Sequence, residues 1–417
     1  MFGRQPFNIK ALAMVLTIRQ ALITMTNPYA EKKKTKNHHD LPALGSDTMK
    51  WEIDRDALLT ALTKVAGITD KKSTMQVLSH VLLEADEDQQ LHLSATDLDI
   101  SLKTQVDAQV TIPGRTTVSA RKFLDLVKEL RQETIQCELT DNDRLTVVGG
   151  RTRYKLSTIR AEDFPHFTVS VARQSFDVEA GALRRALSRT IYTVPMDEDP
   201  LSVPGLYWHP VGEELLRMVG SDGHRLAYDQ IPFPAARFIG DEAGITIPRK
   251  GVQEILRLLE KSHEISLGLH ENRLFAQTPD TYLSIQLLEE EFPQYDLIIP
   301  DAESGHLEMD REILIGALKR MAVVTDQSWV FVRMTVSDRL LVLEAGNPEL
   351  GTAQEELPVD YLGDGFSVAY NIRYVIEALQ NMQSERVRFQ WLDEYHGGMF
   401  LEPDNPDHLA LVMPMMV

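Results

Sequence analysis

The chain has 417 residues, 43 % apolar and 25 % charged, the balance of a soluble globular protein too long for one ordinary core. Its one cysteine, Cys137, excludes an intrachain disulfide or a thiolate-built metal cluster and fits a reducing compartment. The formal charge of −19, taken alone, counts against a nucleic-acid partner.

Residues 1–48 stand apart. The apolar run 11–25 is broken by Arg19 and is too short to span a bilayer. It gives way to EKKKTKNHHD from Glu31, a solvated charge run without apolar periodicity. With seven Lys/Arg against three Asp/Glu, the segment reads as a presequence or, in preference, as a start placed too early, because Met49-Lys50 opens a strongly patterned domain. It is predicted disordered and is left out of the fold.

From Trp51 the elements repeat. A strand and an amphipathic helix, WEIDRDALLTALTKVAG, place Leu58, Leu62 and Val65 at helical spacing. QLHLSATDLDISLKTQV from Gln90 alternates as half-buried antiparallel strands do. A second helix, SARKFLDLVKEL from Ser119, follows, and the copy closes on EDFPHF at Glu162. The second copy runs FDVEAGALRRALSRTIY from Phe176, ELLRMVGSDGHRLAYDQI from Glu214, PRKGVQEILRLLE from Pro248 and EEFPQY at Glu290. The third runs LEMDREILIGALKRMAV from Leu307, RLLVLEAGNPELGTAQEEL from Arg339, NIRYVIEALQNM from Asn371 and VMPMMV at Val412. Ala61-Leu62, Ala186-Leu187 and Ala317-Leu318 recur after 125 and 131 residues, and the Phe-Pro pairs lie 128 apart. Four elements in one order at nearly constant spacing predict three copies of an α+β unit, over 49–172, 173–302 and 303–417, each with two helices on antiparallel sheets.

Charge follows the elements. Without the leader the chain holds 36 basic and 59 acidic residues, yet six predicted helical windows (54–66, 118–132, 179–192, 248–262, 310–323 and 370–382) hold 17 basic and 10 acidic. If the helices share one side, that side is positive, and a polyanion against it responds mainly to local charge, since screening acts over roughly 8 Å. For any single helix Lys or Arg, plain solubility is the simpler role.

Catalytic motifs are missing: there is no GxxxxGK[ST], no GxGxxG after a strand and no GxSxG. Asp97 and Asp99, two apart, suit either one strand face or a turn. With His224 they define the competing class, a metal-dependent nuclease. Asp222-Gly223-His224-Arg225 lacks a second constellation for acid–base chemistry, and His224 reads first as a hydrogen-bonded turn residue. No metal, cofactor or catalytic residue is expected.

ATDLDISL from Ala95, TTVSARKFLDLVKEL from Thr116, GRTRYKLSTIRAEDFPHF from Gly150, SDGHRLA from Ser221, IPRKGV from Ile247, EFPQYDLIIP from Glu291 and the terminal VMPM together resemble the bacterial sliding clamp family, the beta subunit of DNA polymerase III. The resemblance runs from Met49 to Val417. It implies a cytoplasmic, non-catalytic processivity factor, a head-to-tail homodimeric ring around duplex DNA with helices inside and sheets outside. Implied partners are the replicative polymerase, a clamp-loader ATPase and other clamp-motif proteins, with no membrane.

The resemblance also implies sites. A partner-peptide groove uses Val203, Ser221, Gly223, His224, Arg225 and Leu226, then Pro293, Leu297 and Ile298, then Asn371, Tyr374, Met413, Pro414 and Met415. DNA-proximal positions are Lys72 and Arg121, with Lys122, Arg249 and Lys250 as basic neighbours. Tyr154, Ile313 and Leu314 fall at the subunit interface. The sequence departs from the family at Leu297 and Met416, where basic residues are common, and in the acidic MDEDPLSV from Met196. A more apolar peptide preference follows from the first two departures.

Overall fold

The computed structural model describes residues 48–70, 73–140, 144–165, 175–196, 202–239, 244–260 and 262–416. The expectations for residues 1–47 and for Lys72 lie outside them. The first copy contains helices α1 (Arg55–Ala66) and α2 (Ala120–Glu129). The second contains α3 (Ala180–Thr190), α4 (Ala235–Ile239) and α5 (Arg249–Leu259), and the third α6 (Arg311–Met321) and α7 (Ile372–Gln380). The six predicted windows each hold one helix, shorter at its ends than predicted. The added α4 is a single turn after Phe233-Pro234, where Phe233 and Phe238 meet each other and Phe176 edge-on. Tertiary packing makes it, not propensity, so no periodic signal announced it.

Local chemistry repeats as well. The opening strand of each copy ends on a carboxylate that caps the helix behind it, satisfying N–H groups with no partner inside the helix. Asp54 accepts from the Ala57 N–H at 2.8 Å, Glu179 from Gly181 and Ala182, and Asp310 from Ile313 at 2.8 Å. In the outer copies the first helical residue is an arginine that reaches the end of the second helix. Arg55 donates to the carbonyls of Val127 and Lys128, and Arg311 to those of Leu379 and Ser384.

The sheets do not stop at domain boundaries. The last strand of the second copy, Thr281–Gln286, pairs antiparallel with Ile100–Asp107 of the first, from Thr281 opposite Thr104 to Ile285 opposite Ile100. The last strand of the third, Asn405–Val412, pairs likewise with Arg225–Pro232 of the second, from Arg225 opposite Val412 to Asp229 opposite His408. The corresponding strands at the two ends of the array are open. Among the described residues, Gly351–Pro358 pairs only with Leu340–Asn347 and forms a sheet edge. Thr152–Ile159 pairs along one side with Arg144–Gly149, and on its other side only Thr158 and Ile159 are matched.

Each seam is stitched by a cation from the first helix of a copy. Lys64 of α1 reaches Asp280 at 2.6 Å and the Thr281 hydroxyl at 3.0 Å, both in the second copy. Arg189 of α3, 125 residues on, is buried and binds Asp229 of its own copy at 3.0 Å and Glu402 of the third at 2.6 and 2.8 Å. Arg320 of α6, a further 131 on, pairs with Glu355 of its own open strand. Beside Arg189 lies His408, fully buried, its Nδ1 3.5 Å from Glu402. Burial raises the Asp229 carboxyl, with Arg189 pulling against it. Burial also opposes charge on Glu402, but the N–H groups of Ser384 and Gln383, then Arg189, hold it below its ordinary range.

Burial, then the Arg189 charge, press His408 from 6.5 down to about 4 against the pull of Glu402. The unfolded chain takes up that proton below about 6.5 and the native chain does not until about 4, so this residue makes the fold less stable as pH falls through that window. Denaturant melts of wild type and His408→Gln should diverge there with a slope approaching about 1.4 kcal/mol per pH unit. Parallel pH profiles would mean that His408 is protonated in place.

Candidate functional site

The seam between the second and third copies ends in a turn built to a fixed shape. Strand Leu215–Ser221 reverses into Arg225–Pro232 through Gly223, whose φ of 81° is left-handed backbone that a side chain rarely adopts. Asp222 accepts the N–H groups of His224 and Arg225 at 3.0 Å. The Ser221 hydroxyl donates to the Arg225 carbonyl at 2.9 Å and accepts from Gly223. The His224 carbonyl in turn accepts the Met413 N–H at 2.9 Å. Two residues on, Pro414–Met415 pairs with Ala369 and Tyr370 at the edge of the third copy's sheet. Turn, chain terminus and the start of α7, capped by Asn371, therefore meet at one place.

Arg225 holds them together. Its guanidinium binds Asp222 at 2.9 Å, the Tyr192 carbonyl at 3.0 Å and Glu377 of α7, and lies 4.3 Å from the Tyr374 ring centre. Every face of this cation is occupied by protein. Val203, Met413, Pro414 and Met415 are half-buried, while His224 and Gly223 are exposed. Leu226 departs from expectation: it is fully buried with Val219, Tyr295 and Leu411, so it supports the site from beneath. Strand alternation turns its side chain to the core.

The connection to the third copy forms the other rim. Phe292 stacks on Tyr207 at 4.9 Å, and the Tyr295 hydroxyl lies 2.6 Å from His209 Nδ1 and 3.3 Å from Arg217. Arg217 can only donate, so the hydroxyl accepts from it, and its own hydrogen is available to Nδ1 in the tautomer that leaves this nitrogen unprotonated. Burial, more than any neighbouring charge, lowers His209 and favours the neutral imidazole. This clip places Pro293, Leu297 and Ile298 at the surface, with Leu297 81 % exposed, and Met416 at the terminus is 98 % exposed. Sequence reasoning missed the clip because His209, Arg217 and Tyr295 lie on three separate elements.

Other expected residues scatter by role. Arg121 and Lys122 are exposed on α2. Arg249 instead donates to the carbonyls of Ile191 and Val194 within its own copy, and Lys250 binds Asp97 and the Ile68 carbonyl across the first seam, so Arg249 braces one copy and Lys250 ties two. Tyr154 is 40 % and Ile313 55 % exposed, but Leu314 is fully buried in the third core, one position off the exposed helix face, and cannot itself meet a partner. Asp97 and Asp99 flank Leu98 in a turn, not on a strand face, and no three His, Cys, Asp or Glu side chains are grouped to hold a metal among the described residues. The Asp97–Asp99–His224 nuclease site is therefore not assembled.

Comparison with known proteins agrees with this geometry. Three family models match in order: the DNA polymerase III beta subunit N-terminal domain over 49–168, its central domain over 177–294 and its C-terminal domain over 296–416. The beta sliding clamp of Pseudomonas aeruginosa is 33 % identical over 373 residues, spanning 88 % of this chain and 100 % of the relative. That of Escherichia coli is 30 % identical over 369 residues, with the same coverage. The crystal structure of the Pseudomonas aeruginosa clamp bound to griselimycin superimposes with a TM-score of 0.81 at 32 % identity, over 88 % of this chain and 100 % of that one.

Tyr295→Phe removes the hydroxyl that bridges His209 and Arg217. It should cost about 1–2 kcal/mol and speed amide exchange over residues 289–304, leaving strand Gly205–Val211 protected. Unchanged exchange in the connection would show that aromatic stacking alone holds the rim.

Proposed function

This chain belongs to the bacterial DNA polymerase III beta subunit family, the sliding clamps, and on that premise we propose how its surfaces serve a processivity factor. The two open strand edges carry the reading. Within the chain, the last strand of each following copy pairs with the middle strand of the copy before it. Gly351–Pro358 is a middle strand without such a mate, and Thr152–Ile159 is a last strand without one. Each fits the other, and two chains joined head to tail satisfy both. Rotation by the same step closes the array and covers these two edges, each of which could otherwise template aggregation.

Charge supports the same pairing and opposes the alternatives. Arg153 and Lys155 lie on the Thr152–Ile159 edge, and Glu356 lies on the Gly351–Pro358 edge beside Glu355, which Arg320 already holds. Like edges repel, and unlike edges attract. Tyr154 and Ile313 supply exposed apolar contact at the join, with Leu314 behind Ile313 as core support.

The helices of such a ring face the duplex. Arg121 and Lys122 make exchangeable phosphate contacts, and Lys72 joins them. Lys250 and Arg249 contribute field more than contact, because their polar atoms are already engaged. Weak contacts permit sliding, and ring closure prevents escape. The groove at the second seam takes short segments of the replicative polymerase, the clamp loader and other clamp-motif proteins, raising the polymerase's effective concentration at its template. The chain itself is non-catalytic and cytoplasmic. A loader ATPase opens the ring, since no nucleotide-binding motif is present in this chain.

Loaded onto nicked circular DNA by a compatible clamp loader with ATP, the protein should stay bound through gel filtration at moderate salt and leave when the circle is cut. Persistence on the linear product would indicate ordinary surface binding. Met413→Glu with Met415→Glu should weaken griselimycin or polymerase-peptide binding at least tenfold and leave the dimer intact by light scattering, because a desolvated carboxylate opposes an apolar ligand. Undiminished affinity would place the groove elsewhere.

A further inference from the structure

The charge around the groove limits what can enter it, an inference that rests on the groove reading above. The connection forming one rim, residues 289–304, carries six carboxylates and no lysine or arginine. All six residues are exposed. Asp296 has only a long 3.7 Å contact with Arg217, and Glu303 faces His306 at 3.3 Å. Glu289, Glu290, Glu291 and Asp301 take part in no ion pair among the described residues, although the Glu290 neighbourhood leads straight into Pro293 of the groove.

The facing side offers little compensating charge to a ligand, the exposed Arg373 standing against six carboxylates. Arg225, the cation nearest the turn, is held by Asp222, Glu377 and a backbone carbonyl. Arg373 is exposed at the start of α7 and lies within the field of Asp326. Between these walls the contact surface is apolar: Leu297, Ile298 and Met416 are exposed, with Met413 and Met415 half-buried.

We propose that this groove selects apolar peptide segments flanked by lysine or arginine and discriminates against segments flanked by acidic residues. The apolar core supplies affinity through adaptable methionine and aliphatic contacts. The carboxylate rim supplies selection, chiefly through encounter and through repulsion of the wrong partner. Because the rim is solvent-exposed, the discrimination is modest and salt-sensitive, roughly three- to tenfold in Kd near physiological ionic strength and lost at about 0.5 M salt.

A displayed library of random dodecapeptides, panned on the full-length protein and counter-selected on the Met413→Glu, Met415→Glu protein, tests this without presuming a motif. Enriched sequences should share an apolar core with net positive flanks. Synthetic peptides with one enriched core and Lys, Ser or Glu flanks should then rank in that order by fluorescence polarisation. The protein with Glu290→Gln, Glu291→Gln and Asp301→Asn should bind the serine-flanked peptide as before and lose the ranking. Neutral or acidic flanks among groove-dependent binders, or a ranking that survives those substitutions, would overturn the charge selection while leaving the groove in place. No enrichment that depends on Met413 and Met415 would overturn the groove reading and this inference with it.

Discussion

The structure depends on one obligation: every strand edge must find a partner for its N–H and C=O groups or leave them to water. Each copy has a middle strand that accepts the last strand of the next copy, so copies can be added without limit in one direction. Three copies in one chain satisfy this rule twice, at Thr281–Gln286 on Ile100–Asp107 and at Asn405–Val412 on Arg225–Pro232. One edge of each kind is left over. A chain so built cannot complete itself, and its open edges differ in kind and charge. Head-to-tail closure between copies is the arrangement that uses both.

The three seam positions are equivalent by repeat and unequal in chemistry. Lys64 and Arg189 each reach an acceptor in the neighbouring copy, so parting those seams would leave charged groups unpaired, deeply buried ones at Arg189. Arg320 binds Glu355 within its own copy. At this position the cation of the third copy is already satisfied within its own chain. The seams inside the chain, by contrast, are held against shear. That rigidity matters for the groove, because its floor and rims come from the second copy, the third copy and the connection between them.

Much of this was legible in the sequence, and the failures have definite causes. The Ala-Leu spacing located the first helix of each copy, and the recurring amphipathic segments midway through each copy located the other three. Charge segregation was real but partly misread: Arg55, Lys64, Arg189, Arg249, Lys250, Arg311 and Arg320 are spent on carbonyls and carboxylates of the protein itself. A charge count cannot separate a cation that faces solvent from one that stitches two domains. Leu314 and Leu226 lay within a residue of the right surface, and helix or strand phase turned both inward. The Arg189–Asp229–Glu402–His408 cluster was invisible because its members are separated by 40 and 213 positions, and only the folded seam unites them.

The negative total charge is consistent with this design. Retention by encirclement does not require a high-affinity DNA surface, and such a surface would hinder sliding by making each phosphate contact slow to exchange. The acidic remainder resists stray contact with other nucleic acid. Affinity for DNA and persistence on DNA are set by different parts of the molecule, the first by helix side chains and the second by strand edges, so each can vary without the other.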